Sequence, residues 1–436
     1  MVLDKFSFGI GDRFCHQGKA QLAALIKAKE QGIDITPVWN KSYREHTIIG
    51  TRPADTRIEA DNAVAASGWG GPYFVDADHI GLKNVDEFIE SSDFFTLDVA
   101  DFIGKPADAV EVKAFVKKHN KYIGSLDIPG TDESFEISKE QAKAIADKYL
   151  LAVRQAGKIY RHITSAKGAD NFITEVSMDE TDQPQTPVEM FFILAAIADE
   201  GIDAATIAPK FTGRFNKGVD YVGDVNKFAR EFEQDIAVIN FAVKEFGLPS
   251  DLKLSVHSGS DKFSIYKPMR EAIRKFDAGP VRNSAIGGRI QEGNVSNGAG
   301  LHIKTAGTTW LEELIGLAMA GGEGLDIAKE IYAKALARID ELCAPYATVI
   351  DIDRRKLPQP KEVARWDGER FASALRHNQA CKQYNSSFRQ LLHVGYKVPA
   401  EMGERYINAL EKYEDVVAKN VTENIYQRHI KPIFMA

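Results

Sequence analysis

Residues 73–81 read YFVDADHIG. A short apolar run passes into alternating acids, then an imidazole, then a glycine two residues on. The pattern predicts a strand whose C-terminal tip carries Asp78 and His79 side by side. Neighbours on an extended strand point to opposite faces, so both can serve one site only where the strand ends and twists into its loop. A carboxylate beside an imidazole suits an acid/base group next to a metal ligand. A surface Asp-His pair is spelled the same way, so the decision rests on what other strand tips carry.

Outward from this stretch, strands alternate with helices. Residues 5–10 (KFSFGI) form a first strand, leading through GDRFCHQGKA into a helix that stops at Gly32. Residues 35–40 form a second strand, with a helix over 53–67, and YFVDAD is the third. After the short crossover NVDEFIESS comes residues 94–98 (FFTLD), then a long helical excursion over 99–170 around the loop YIGSLDIPGTDES. Residues 172–176, 206–211, 252–257 and 301–304 complete eight strands. Pro187 opens one intervening helix, and another covers 224–246. Eight strands, nearly all followed by helices, predict a parallel (β/α)8 TIM-type barrel over residues 1–325. A doubly wound sheet is the alternative, but no GxGxxG follows the first strand. From 326 to 436 the pattern turns helical, predicting a C-terminal extension packed on the barrel.

Composition narrows the function. A chain of 436 residues with net charge −7 and no Lys/Arg run argues against nucleic acid. No apolar run approaches the roughly 20 residues of a membrane span. The N-terminus lacks a signal-peptide pattern, so the chain reads as cytoplasmic. Cys15, Cys343 and Cys381 are too scattered for a disulfide framework or a thiolate zinc cluster. The partner expected is a small molecule, with a homo-oligomer compatible with the helical extension.

In a barrel, chemistry gathers at strand C-termini. The tips offer Asp12 and Arg13, Lys41, Asp78 and His79, Asp98, Glu175, Lys210 and Arg214, His257, and His302 with Lys304. His79, His257 and His302 suit a divalent ion, with zinc first and manganese, nickel or cobalt also accepted by such ligands. The loops SGSDKF and TAGTTWLEE look suited to an anion, since small residues before a helix leave backbone N–H groups free. Ordinary capping by Thr308 or Thr309 with Glu312 reads the second loop equally well.

At these residues a resemblance emerges. DADHIG, HSGSDKFSIYKP, LHIKTAGTTWLEE and NSSFRQLLHVGYKVPAEMG resemble the tagaturonate/fructuronate epimerase family of hexuronate catabolism, and more distantly the metal-dependent class II aldolases. The resemblance implies a barrel, a divalent metal and a sugar-acid substrate. The two uronates differ at a carbon β to the ketone. Loss of the α-proton cannot invert that centre, whereas retro-aldol cleavage and reattack can. Asp78 is the first choice for the base, with Glu175 sharing that role or completing the metal shell. Lys304, Thr305 and Gly307 are expected to hold the substrate carboxylate, with Lys210 and Arg214 as second choices. Asp127 is expected to reach over the pocket. Arg389 and His393, four apart in SFRQLLHVG, either close over substrate or pack at an interface. An aldolase that releases its fragments, or a non-catalytic aldolase-associated subunit, are the alternative functions. Ketohexoses are expected as poorer substrates. Residues 279–299, rich in Gly, Asn and Ser, depart from the family pattern and are expected to form a surface loop away from catalysis.

Overall fold

The computed structural model describes residues 1–276, 300–305 and 307–435; the 279–299 stretch lies outside them. Eight parallel strands close into a barrel: β1 Phe6–Gly11, β2 Thr36–Ser42, β3 Phe74–Ile80, β4 Phe94–Asp98, β5 Ile173–Ser177, β6 Ala204–Ala208, β7 Lys253–His257 and β8 Leu301–Lys304. Each pairs with its sequence neighbour, and β1 closes on β8 with Ser7 opposite His302 and Gly9 opposite Lys304. All eight expected strands are present; β6 starts and ends earlier than its sequence suggested.

Alternation along the strands sorts their side chains. Phe6, Phe8 and Ile10 of β1 face the outer helices, leaving Ser7, Gly9 and Gly11 to the interior. Leu3, Val38, Phe74, Phe94, Ile173 and Ala205 form a small apolar plug inside the barrel. Further along the strands the interior turns polar, with Asp76, Thr96, Glu175, Thr206, His302 and Lys304 all buried. Gly9 makes room for this layer, because a Cβ there would lie 2.6 Å from Lys304 Cγ.

The connections vary in kind. Between β3 and β4 only the short turn Val85–Glu87 is helical. The excursion after β4 holds helices Ala109–Lys118 and Lys139–Lys167, with a two-stranded hairpin, Gly124–Leu126 and Phe135–Ile137, between them. None of the described helices is long and apolar enough to cross a membrane.

The C-terminal extension shares the barrel's outer core. Helix Gly322–Ala337 carries the chain across the 325/326 boundary, and its Ile327, Ile331 and Tyr332 join the same apolar cluster as the barrel helices. The final segment Asn424–Met435 lies along helices Gly18–Glu30 and Phe263–Lys275. There the Phe434 ring packs at a tilt, its centroid 5.1 Å from that of Phe6, over the outer face of β1. Trp310, on helix Thr308–Ala320, donates its indole N–H to Leu392 O at 2.8 Å.

Buried ionic contacts complete this docking. Asp261, in the loop after β7, meets Arg389 Nη2 at 3.0 Å, His377 Nδ1 at 3.3 Å and His429 Nε2 at 3.2 Å. Burial disfavours its charge, but Arg389 and the two imidazoles outweigh it and hold the carboxyl well below the usual range.

Candidate functional site

The end of β3 departs from regular strand geometry. Its pairing with β4 slips between Ala77 and Ile80, and His79 adopts φ +53, a conformation uncommon for a residue with a Cβ. This kink is what lets Asp78 and His79 serve one site. His79 Nε2 lies 3.8 Å from Asp78 Oδ1, and its Nδ1 lies 3.5 Å from Asp98 Oδ2. Backbone strain of this kind at a barrel mouth is a functional pointer.

Opposite stands His257, its ring centroid 5.1 Å from that of His79. Glu175 Oε1 is 2.7 Å from His257 Nε2, and Asp179 Oδ2 is 3.2 Å from Nδ1. Ser177 Oγ donates to the other Asp179 oxygen at 2.6 Å. Ligand atoms of His79, Asp179 and His257 all lie within 4.8 Å of one another, and so do those of His79, Asp98 and Glu180. Both imidazole Nδ1 atoms are buried without a hydrogen-bond partner in the described structure. The electrostatics agree with a cation site. Burial alone would keep both imidazoles neutral, yet the acids around them raise His79 well above its usual value and His257 to about 9. Two imidazoles and a carboxylate form a donor set that a divalent ion accepts.

Just below lies a buried ionic hub. Lys304 Nζ contacts Asp76 at 2.7 Å, Asp78 at 2.9 Å, Glu175 at 2.9 Å and Thr96 Oγ1 at 2.5 Å. One cation cannot offset three buried carboxylates, so burial pushes Asp76 up to about 7 despite Lys304. Asp78 behaves oppositely: burial opposes its charge, but Lys304, His79 and His257 outweigh that and hold it at about 2. Glu175 is saturated, since its second oxygen accepts from Thr206 Oγ1 at 2.7 Å.

Several expected residues are placed elsewhere. His302 lies deeper, its Nδ1 2.8 Å from Ser7 Oγ and its ring 5.3 Å from that of Phe94. Burial lowers it to about 3, and it joins no donor group among the described residues. The carboxylate that lies beside His79 and His257 in its place is that of Asp179. Lys304 is buried with its N–H donors committed to internal acceptors, so it presents none to a substrate anion. Arg389 is likewise committed, to Gly218 O, Leu375 O and Asp261. Arg214 is exposed and 3.6 Å from Asp351. Lys210 is half-buried beyond β6, its backbone N–H bonded to Gln185 Oε1. Asp127 is exposed and accepts from Ser134 inside the hairpin.

The loop after β8 also differs from expectation. Thr305 N–H donates to Gly9 O and Gly307 N–H to Gly259 O, both at 2.9 Å. Neither Thr308 nor Thr309 caps the helix: Thr308 Oγ1 bonds Asp261, Thr309 Oγ1 accepts from Gln21, and Glu312 binds Asn424. His393 is buried against this loop, within helix Ser386–Val394.

Three acids beside these groups were not singled out in the sequence. Asp179 and Glu180 follow Ser177 in the run SMDE, and reading past Glu175 to the loop would have found them. Asp76 was visible in the alternating acids of DAD.

The chain matches the family model for tagaturonate epimerase over residues 1–276 and 293–433. The stretch left out, 277–292, overlaps the one that departs from the family pattern in sequence. A tagaturonate/fructuronate epimerase of Thermotoga maritima is 27% identical over 442 residues, covering 97% of this chain and 80% of its own length. The fructuronate-tagaturonate epimerase of Cohnella laeviribosi has a similar fold. Its glycerol-bound structure aligns at a TM-score of 0.77 and its native structure at 0.75, each with 22% identity over 99% of this chain and 82% of that one. The chain therefore belongs to the tagaturonate epimerase family, a family of isomerases.

Proposed function

We propose that this chain interconverts D-tagaturonate and D-fructuronate at the carbon β to the ketone, with a divalent metal held by His79, His257 and Asp179. The observation that carries the reading is the convergence of those three ligands beside Asp78, a carboxylate kept ionised by Lys304. Zinc is the first candidate for this donor set. When bound, the ion supplies Lewis acidity toward the substrate ketone.

The remaining work falls to side chains. Asp78 accepts the proton of the β-hydroxyl, and the α–β carbon bond opens with its electron pair passing into the carbonyl. The aldehyde turns over within the pocket, the bond re-forms on its other face, and Asp78 returns the proton. Lys304 keeps Asp78 charged for that step, while Asp76 holds the spare proton of the hub. Glu175 fixes the orientation of His257 through Nε2, leaving Nδ1 toward the mouth. Ketohexoses fit the same chemistry and lack only the carboxylate.

The test is metal-stripped protein given D-tagaturonate in deuterated water, with and without added zinc, followed by NMR. The reading expects unlabelled fructuronate once metal is restored. Deuterium at the inverted carbon would sink the cleavage scheme, accumulating fragments would indicate an aldolase, and no turnover with any divalent ion would remove the function.

A further inference from the structure

Gly218 and Gly307 lie against His393, with Gly259 beside Gly307, and line a crevice at the barrel mouth. Gly307 approaches the imidazole so closely that a Cβ there would lie 2.2 Å from His393 Cε1 and 2.4 Å from Nε2. Gly218, at φ +77, stands against the other side, with its Cβ position 3.4 Å from Nδ1. His393 is 1% exposed, and neither ring nitrogen has a partner in the described structure. A buried imidazole left without partners costs free energy unless a ligand supplies them.

Lys217 enters the same crevice. Its Nζ lies 3.6 Å from the Cβ position of Gly259, whose carbonyl accepts from Gly307 N–H. Its backbone N–H is tied to Val349 O at 2.8 Å, but the ammonium has no hydrogen-bond or ion-pair partner among the described residues. Lys262, nearby, donates to oxygens of Ser260 and to the Asp261 carbonyl, with the Asp261 and Asp220 carboxylates in its surroundings. The start of helix Thr308–Ala320, preceded by Gly307 and without a side-chain cap, adds its positive end to this region. Burial, reinforced by Arg13 and the neighbouring cations, lowers both Lys217 and His393, although Glu180 and Glu45 oppose the shift at Lys217. Arg13, Arg44, Lys217 and Lys262 thus bring positive charge to this crevice, which Glu180 and Glu45 offset only in part.

We propose that Lys217 and His393, at the crevice formed by Gly218, Gly259 and Gly307, seat the carboxylate of a sugar-acid substrate. The assignment rests on the epimerase reading and deepens it: the metal ligands meet the ketone end, and this crevice sets the preference for acids over neutral sugars. Lys217 donates a charge-assisted hydrogen bond, and His393 donates from whichever nitrogen carries its proton.

The experiment measures binding of two unreactive probes, D-galactonate and galactitol, by calorimetry, on wild type, Lys217→Met and Lys217→Arg. Losing one charge-assisted bond should weaken galactonate about 10- to 100-fold in Lys217→Met, with partial recovery in Lys217→Arg. Galactitol binding should not change. In turnover, KM for D-tagaturonate should rise by a similar factor in Lys217→Met while kcat changes little. Unchanged galactonate affinity in a folded Lys217→Met protein overturns the assignment, as does wild type binding galactonate no better than galactitol. Absence of tagaturonate turnover by wild type would remove the epimerase reading, while the galactonate comparison still decides the carboxylate seat.

Discussion

Lys304 and Lys217 occupy the same end of one barrel and play opposite parts. Lys304 is enclosed by three carboxylates and a hydroxyl, so every donor it has is spent inside the protein. Lys217 is half-buried with Arg13, Arg44, Glu180 and Glu45 in its surroundings, and no hydrogen bond or ion pair holds its ammonium among the described residues. The chemistry of a lysine at a strand tip is therefore set by what surrounds it. A surrounded cation shapes its neighbours' charge, and a solitary one waits for a ligand. Asp261 is the anionic counterpart of Lys304, a single buried acid surrounded by Arg389, His377 and His429.

Breaking the enclosed lysine should give the largest effect. Lys304→Met leaves Asp76, Asp78 and Glu175 without their counter-ion and is expected to cost about 3–5 kcal/mol in urea unfolding. A loss below about 1 kcal/mol would mean the hub contributes nothing net. Asp78→Asn should fold normally and lose about 10²- to 10⁴-fold in kcat, the range of a general base; unchanged turnover would assign the proton to another group. Asp261→Asn strands Arg389 and should cost about 3 kcal/mol near neutral pH. Because the folded carboxyl is depressed, its contribution is present above the unfolded value of about 3.9 and lost as pH falls through the folded one. The wild-type advantage over Asp261→Asn should therefore shrink below about pH 4, and a gap that widens there would contradict the pairing. Gly307→Ala pushes a methyl into the His393 ring, and overpacking of this kind costs about 1–3 kcal/mol. Its uronate KM should rise about tenfold, given the lost seat. The smallest change is expected from Asp76→Asn, since that acid already shares a proton near neutrality. A stability loss of about 1 kcal/mol or less is predicted, and a loss as large as that of Lys304→Met would show Asp76 to be fully ionised.

Much of the barrel was legible because its strands obey two simple signals, apolar runs and helix punctuation at regular spacing. The hairpin within 124–137 was not, since its strands are three residues each and half exposed. His79 and His257 were legible as strand-tip residues, and the structure brings their ring centroids to 5.1 Å. His302 also sits on a strand near its end, but its pairing opposite Ser7 turns it into the packed interior, which the sequence does not show. Asp179 and Lys217 lie on loops, whose path no periodicity predicts. Lys304 lies at the strand tip as expected, but the sequence does not show three acids from β3 and β5 closing around it. His393 was read onto one helical face with Arg389, but the glycines against its ring, Gly218 and Gly307, come from two separate loops.

The central claim is that His79, His257 and Asp179 hold the metal while His302 does not. Equilibrium dialysis of metal-stripped protein against zinc tests it, comparing wild type, His257→Ala and His302→Ala, each checked for folding by circular dichroism. The account predicts about one tightly held zinc per chain in wild type and in His302→Ala, and its loss in His257→Ala. Zinc retained by His257→Ala and lost from a folded His302→Ala would contradict it.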